Sequence, residues 1–212
     1  MSRTDGNSNP PKRRIVVAVT GASGAIYGIR LLAALLARPM EIFLMISRAG
    51  RRVMAHETDY DGGPMADFLR EQGGEFHPEA RLREFSPDDL FAPPASGSFR
   101  HGGMAVAPCS MKTLGAVVSG VADDLILRAA DVCLKERRPL VLLTRETPLS
   151  LIHLENMRRA VLAGATVMPP CPAFYARPKT VDELVDATAA RLLDQLGIDN
   201  DLMRRWGEDE DV

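Results

Sequence analysis

The chain has 212 residues, 46% hydrophobic and 25% charged, enough to bury one full core as a single globular domain. Its 26 basic and 28 acidic residues leave a net charge of -2, which excludes a bulk attraction to nucleic acid or to an anionic membrane and makes any anion site local. Three cysteines, Cys109, Cys133 and Cys171, lack CxxC spacing and argue against a disulfide framework or a zinc cluster, so a reducing cytoplasm fits best.

Residues 1–13 carry Asn, Ser, Pro and Arg but no apolar signal core, and read as a disordered tail ahead of a domain over 14–206. Residues 15–19 form a β-branched run that ends in Thr20-Gly21-Ala22-Ser23-Gly24, after which Ile29, Leu32, Ala33 and Leu36 recur at helical spacing. A second apolar run, 41–46, closes at Ser47 and leads into a short amphipathic helix over 48–57. Between 58 and 103 the pattern dissolves into Gly, Pro and Asp, with one helix expected near 65–71 and a compact Ala92-Pro93-Pro94-Ala95-Ser96-Gly97-Ser98 segment. Further strands are expected at 104–107, 140–143 and 165–168. A last helix over 181–196 places Val181, Val185, Thr188, Leu192 and Leu196 on its apolar face, with Arg191 at that face's edge. Residues 207–212 read as an acidic solvated tail, and no stretch reaches the ~20 apolar residues of a membrane span.

Five short buried runs without alternation, separated by helices, imply an α/β fold. It is a single doubly wound, Rossmann-like or flavodoxin-like, mostly parallel sheet with helices on both faces. In such sheets ligands sit beyond the carboxyl ends of the strands. The residues there are polar: Ser23 after the first strand, Ser47 after the second, Ser110, Lys112 and Thr113 after the third, Thr144, Arg145 and Glu146 after the fourth. Hydroxyls, cations and helix N-termini on one edge suit a phosphate. Each has a plainer alternative. Gly21-x-x-Gly24 lacks the full GxGxxG fingerprint and fits an anion-binding turn or a merely tight one. Ser110 fits a helix N-cap. Cys109, with no paired base, fits a structural thiol. His153 fits a capping or core role rather than a metal ligand, and no metal is expected. Arg137 and Arg138 fit the solvated end of a helix. Lys135 and Arg191 stay open between a solvent-reaching cation and a phosphate ligand.

Taken together, Thr20-Gly21-Ala22-Ser23-Gly24-Ala25, Pro93-Pro94-Ala95-Ser96-Gly97-Ser98, Pro108-Cys109-Ser110, Arg128-Ala129-Ala130-Asp131-Val132, Leu134-Lys135-Glu136-Arg137-Arg138-Pro139-Leu140, Arg145-Glu146-Thr147-Pro148 and Phe174-Tyr175 resemble the UbiX-type flavin prenyltransferases from about Arg14 to Trp206. The resemblance implies FMN, in reduced form, bound by Gly21, Ala22, Ser23, Ser47, Ser110, Met111, Lys112, Thr113 and Arg145, with Arg128 facing the pocket. It implies that Lys135, Tyr175 and Arg191 hold the phosphate of dimethylallyl monophosphate. Ser23, Glu57, Lys135 and Glu146 are the implied catalytic residues.

The implied reaction transfers the dimethylallyl group to N5 and C6 of the flavin without a metal, with Glu146 protonating the leaving phosphate and Ser23 and Glu57 handling the N5 proton. The product would serve a UbiD-type decarboxylase, and the protein would assemble as a homododecamer. Two departures stand out: Lys112 where some relatives have a small residue, and Asp88-Asp89-Leu90-Phe91 without the tryptophan some relatives carry there. The competing readings are an FMN-dependent aromatic acid decarboxylase or oxidoreductase, a non-catalytic FMN carrier for a partner decarboxylase, and a simple phosphate-binding module.

Overall fold

The computed structural model describes residues 13–207. The tails expected at the two ends lie outside these residues, except that Arg13 already begins the first strand and Gly207 ends the described chain. The elements alternate: β1 (Arg13–Val19), α1 (Ala25–Leu36), β2 (Met40–Ile46), α2 (Arg48–Glu57), α3 (Met65–Glu71), β3 (Arg81–Phe85), β4 (Met104–Cys109), α4 (Met111–Val118), α5 (Leu125–Lys135), β5 (Leu140–Thr144), α6 (Leu151–Leu162), β6 (Thr166–Val167) and α7 (Val181–Gln195). Single 3₁₀ turns fall at Pro93–Ala95 and Phe174–Ala176.

The six strands form one sheet in the order β3-β2-β1-β4-β5-β6, and every pairing is parallel. Without the edge strand β3 the order is the flavodoxin-like 2-1-3-4-5. The continuous apolar runs follow from burial on both faces. Ile15, Val17 and Val19 point into a core with α1, α3 and α7, while Val16 and Ala18 point into a second core with α4 and α5. Close packing demands glycine where α1 crosses β4: a Cβ on Gly28 would overlap the Ala107 carbonyl oxygen.

Three expectations are corrected. Strand β3 was not expected, because as an exposed edge strand it carries Arg-Leu-Arg-Glu-Phe rather than an apolar run; Arg83 lies over the rings of Phe43 and Phe85 at 5.4 and 5.5 Å. Val181 is 73% exposed in the first turn of α7, while Val185, Thr188, Leu192 and Leu196 are buried as expected. The end of α5 is not simply solvated. Arg137 takes the left-handed position (φ 54) of a Schellman closure in which Arg138 N–H donates to Cys133 O at 2.8 Å and Arg137 N–H to Leu134 O at 3.2 Å. The Arg138 guanidinium then reaches back to the carbonyls of Phe99 (2.7 Å) and Gly97 (2.6 Å), fixing the Ala-Ser-Gly-Ser loop along α5.

Candidate active site at the carboxyl edge of the sheet

The chain leaves β1 and β4, neighbours in the sheet, toward opposite faces, and this switch point opens a cleft of about 1050 Å³. Gly21, Ser47, Lys112, Thr113 and Asp124 line it, with Pro87 and Asp88 at the rim. Its floor is clipped by Thr20, a residue the sequence reading passed over. The Thr20 hydroxyl donates to Pro108 O (2.8 Å) and accepts from Ser110 N–H (2.9 Å), tying the ends of β1 and β4 together. The only sequence signal was a hydroxyl directly after a strand. A Cβ on Gly21 would lie 2.5 Å from that of Ala49, so the tight turn is needed for α2 to reach the sheet edge.

Ser47 and Ser110 are both helix N-caps: Ser47 Oγ accepts from Gly50 N–H at 3.0 Å, and Ser110 Oγ accepts from Thr113 N–H at 3.3 Å. Capping does not close the two helix heads. One capped N–H per helix leaves the amides of Arg48 and Ala49, and of Met111 and Lys112, without an acceptor among the described residues, and neither first turn holds an acidic residue. Two positive helix ends therefore face one cleft, lined further by the Lys112 side chain. Ser110 and Thr113 hydroxyl oxygens stand 3.0 Å apart there.

The head of α1 is different. Its N–H groups at Gly24 and Ala25 both donate to Glu57 Oε2, each at 2.9 Å, so a carboxylate from α2 already fills the place that the Gly21-x-x-Gly24 turn offered to an anion. An anionic ligand is thereby directed to α2 and α4. Burial pushes the Glu57 carboxyl up, but hydrogen bonds from the Ser23 hydroxyl and from the Ala25 and Gly24 amides, with the Arg145 charge, outweigh it and hold the group below its ordinary value. Arg145 Nε donates to Ser23 O at 3.0 Å. Ser23, Glu57 and Arg145, from the ends of β1, α2 and β5, thus form one cluster at the carboxyl edge of the sheet. Glu146 follows on the exposed side, its carboxylate accepting from Thr147 N–H at 3.0 Å.

A family model described as Flavoprotein matches residues 3–193. The flavin prenyltransferase UbiX of Pseudomonas aeruginosa is 49% identical over 199 residues, which span 92% of this chain and 94% of that protein. The chain belongs to the UbiX-type flavin prenyltransferase family. Among solved structures, AnUbiX (PadA1) in complex with FMN and dimethylallyl pyrophosphate superposes with a TM-score of 0.84 at 46% identity, covering 94% of this chain and all of that one. A dodecameric FMN-dependent UbiX-like decarboxylase from Escherichia coli O157:H7 gives 0.81 at 45% identity, over 91% of this chain and 98% of that one.

The remaining site residues that resemblance to the UbiX-type family singled out are not gathered by one chain. Arg128 is held by Ala95 O (3.0 Å) and by Asp131 (2.6 Å), along α5. Lys135 ends α5 and pairs with Glu136 at 2.6 Å, beside Gly97. Arg191 pairs with Asp194 at 2.8 Å near the end of α7, and that helix end is tied to Arg13, the first residue of β1. Lys135 and Arg191 therefore lie toward the amino edge of the sheet, about 20 Å of strand from the cleft. They also lie on opposite faces, since α5 packs into one core and α7 into the other. Tyr175, half-exposed, meets Trp206 edge to face at 5.5 Å.

The plainer roles hold elsewhere. His153 completes a capping box with Ser150 at the head of α6. Cys109 is fully buried and its thiol is pushed up to about 12, as is that of Cys133, so neither is a poised nucleophile. Among the described residues no three His, Cys, Asp or Glu side chains gather as metal ligands would, and no helix is long and apolar enough to cross a membrane.

Proposed function

We propose that this protein transfers a dimethylallyl group from dimethylallyl monophosphate to N5 and C6 of reduced FMN. The observation that carries the reading is family membership, with 49% identity to one member over most of the chain, and polar residues standing at the strand ends. The cleft's chemistry fits FMN: two open helix heads, the hydroxyls of Ser47, Ser110 and Thr113, and Lys112 suit its phosphate, while Ser23, Glu57 and Arg145 suit the polar edge of its ring system.

When bound, reduced FMN supplies the electron-rich ring that displaces phosphate from the allylic carbon. The chain's own task is to hold that ring, stabilise the departing anion and move protons. Glu57 stays ionised at neutral pH and takes a hydrogen bond from Ser23 Oγ–H, which leaves the serine oxygen free to accept the N5 proton. Glu146, exposed beside Arg145, is the proton donor to phosphate. Lys135, Tyr175 and Arg191 hold the phosphate of the donor, with Arg128 nearby.

Because one chain keeps Lys135 and Arg191 apart, the reading includes assembly, as a homododecamer, in which neighbouring copies complete each site. Apolar side chains left bare support this: Leu151, Ile152 and Leu162 on α6 are 73, 72 and 73% exposed, and Phe91 is fully exposed. A cytoplasmic setting is supported by three free cysteines, and the prenylated product would pass to a UbiD-type decarboxylase. The FMN-dependent decarboxylase reading is kept alive by the name of the Escherichia coli structure. Phosphate release separates them. Anaerobic reduced FMN and dimethylallyl monophosphate should yield inorganic phosphate in a one-to-one ratio with flavin consumed, and Glu146→Gln should abolish the release; no release, with FMN recovered unchanged, would favour the decarboxylase or carrier.

A further inference from the structure

We infer that Arg48 and Arg52, with Lys112 across the cleft, capture the flavin phosphate and set the protein's preference for FMN over unphosphorylated riboflavin. The inference rests on the proposed FMN site and adds two residues to it. Arg48 and Arg52 stand four apart on α2, so they share one face of the helix, and both line the cleft with Lys112. All three side chains are exposed.

What distinguishes them is the lack of a partner. Most arginines of the sheet's surroundings are tied down: Arg14 and Arg83 to Glu41, Arg30 to Asp186, Arg128 to Asp131. Arg51, on the same helix and also lining the cleft, is bound to Tyr60 Oη (2.7 Å) and lies 3.9 Å from Glu84. Among the described residues, the side chains of Arg48, Arg52 and Lys112 have neither a hydrogen-bond partner nor an ion-pair partner. The acids on the cleft do not neutralise them. Asp124 is occupied with the Leu127 N–H at 2.8 Å, and Asp88 makes no ion pair among the described residues. Three unpaired cations above two open helix heads demand at least a dianion, and the phosphate of FMN is one.

Exposure sets the kind of effect. Solvated cations at the mouth of an open cleft speed encounter more than they prolong residence, and their pull fades with salt over the Debye length of about 10 Å at 0.1 M. That behaviour suits a flavin that is consumed and must leave as product.

The test is stopped-flow quenching of flavin fluorescence with oxidised FMN and, separately, riboflavin, at rising salt. The wild-type protein should bind FMN faster than riboflavin, and the advantage should shrink as salt rises. The R48Q/R52Q double variant should lose on the order of tenfold in the FMN association rate, with a flatter salt dependence and unchanged riboflavin binding, which reports an intact fold and ring site. Lys112→Gln should act in the same direction. A double variant with wild-type FMN rates and salt dependence overturns the inference and leaves the proposed transferase standing. So does a variant that changes only the requirement for dimethylallyl monophosphate, which would assign the arginines to the donor. A wild-type protein that binds neither flavin overturns the FMN reading itself.

Discussion

Glu57 accepts two backbone N–H groups at the head of α1 and the Ser23 hydroxyl, and these bonds favour its charged form. The carboxylate is largely exposed, so its structural worth is small. Glu57→Gln should cost about 0.5–1 kcal/mol. A folded value held below the unfolded 4.5 makes this contribution complete above the unfolded value and lost as pH falls through the folded one. Thermal melts of wild type and Glu57→Gln should therefore differ at neutral pH and converge in acid; a constant offset down to low pH would contradict the role of the charge. The thiols give a second prediction. With Cys109 and Cys133 pushed up to about 12, iodoacetamide at about pH 8 should modify Cys171 alone in the native protein and all three after denaturation, read by peptide mass.

At the level of elements, the approach of α1 to β4 depends on Gly28. Gly28→Ala forces a methyl group into the Ala107 carbonyl, and about 1–3 kcal/mol of stability should be lost, measured by urea unfolding. The buried strands were legible because burial on both faces leaves continuous apolar runs; α2 fell where its amphipathic spacing placed it, and α3 fell at the helix expected near 65–71. Strand β3 was not legible, since an edge strand needs no such run. The strand-end rule singled out Ser23, Ser47, Ser110, Thr113 and Arg145 from pattern alone, and of these Ser47, Ser110 and Thr113 line the cleft. It could not tell that Glu57 from a different helix fills the head of α1, because that contact is made by two segments 32 residues apart. Arg138 was misread for the same reason: its bonds to Gly97 and Phe99 join a helix end to a loop whose path no local pattern specifies.

For the whole molecule, the separation of Lys135 and Arg191 across the sheet is the feature that sequence could not express. Both residues came from family resemblance, and only the fold shows that one chain holds them on opposite faces. If each site draws them from different copies, Lys135→Ala and Arg191→Ala proteins should each be inactive. Assembled together at equal amounts, they should regain about a quarter of wild-type activity, the share of sites that receive both intact side chains in a symmetric assembly. No recovery in verified mixed oligomers would place both residues' contributions within one chain.

The most direct test of the account is the mass of the flavin released after the protein turns over anaerobically with reduced FMN and dimethylallyl monophosphate. The account predicts FMN heavier by one five-carbon prenyl unit, absent when Glu146→Gln replaces the wild type. Flavin of unchanged mass, with both the monophosphate and the diphosphate as donor, would contradict it.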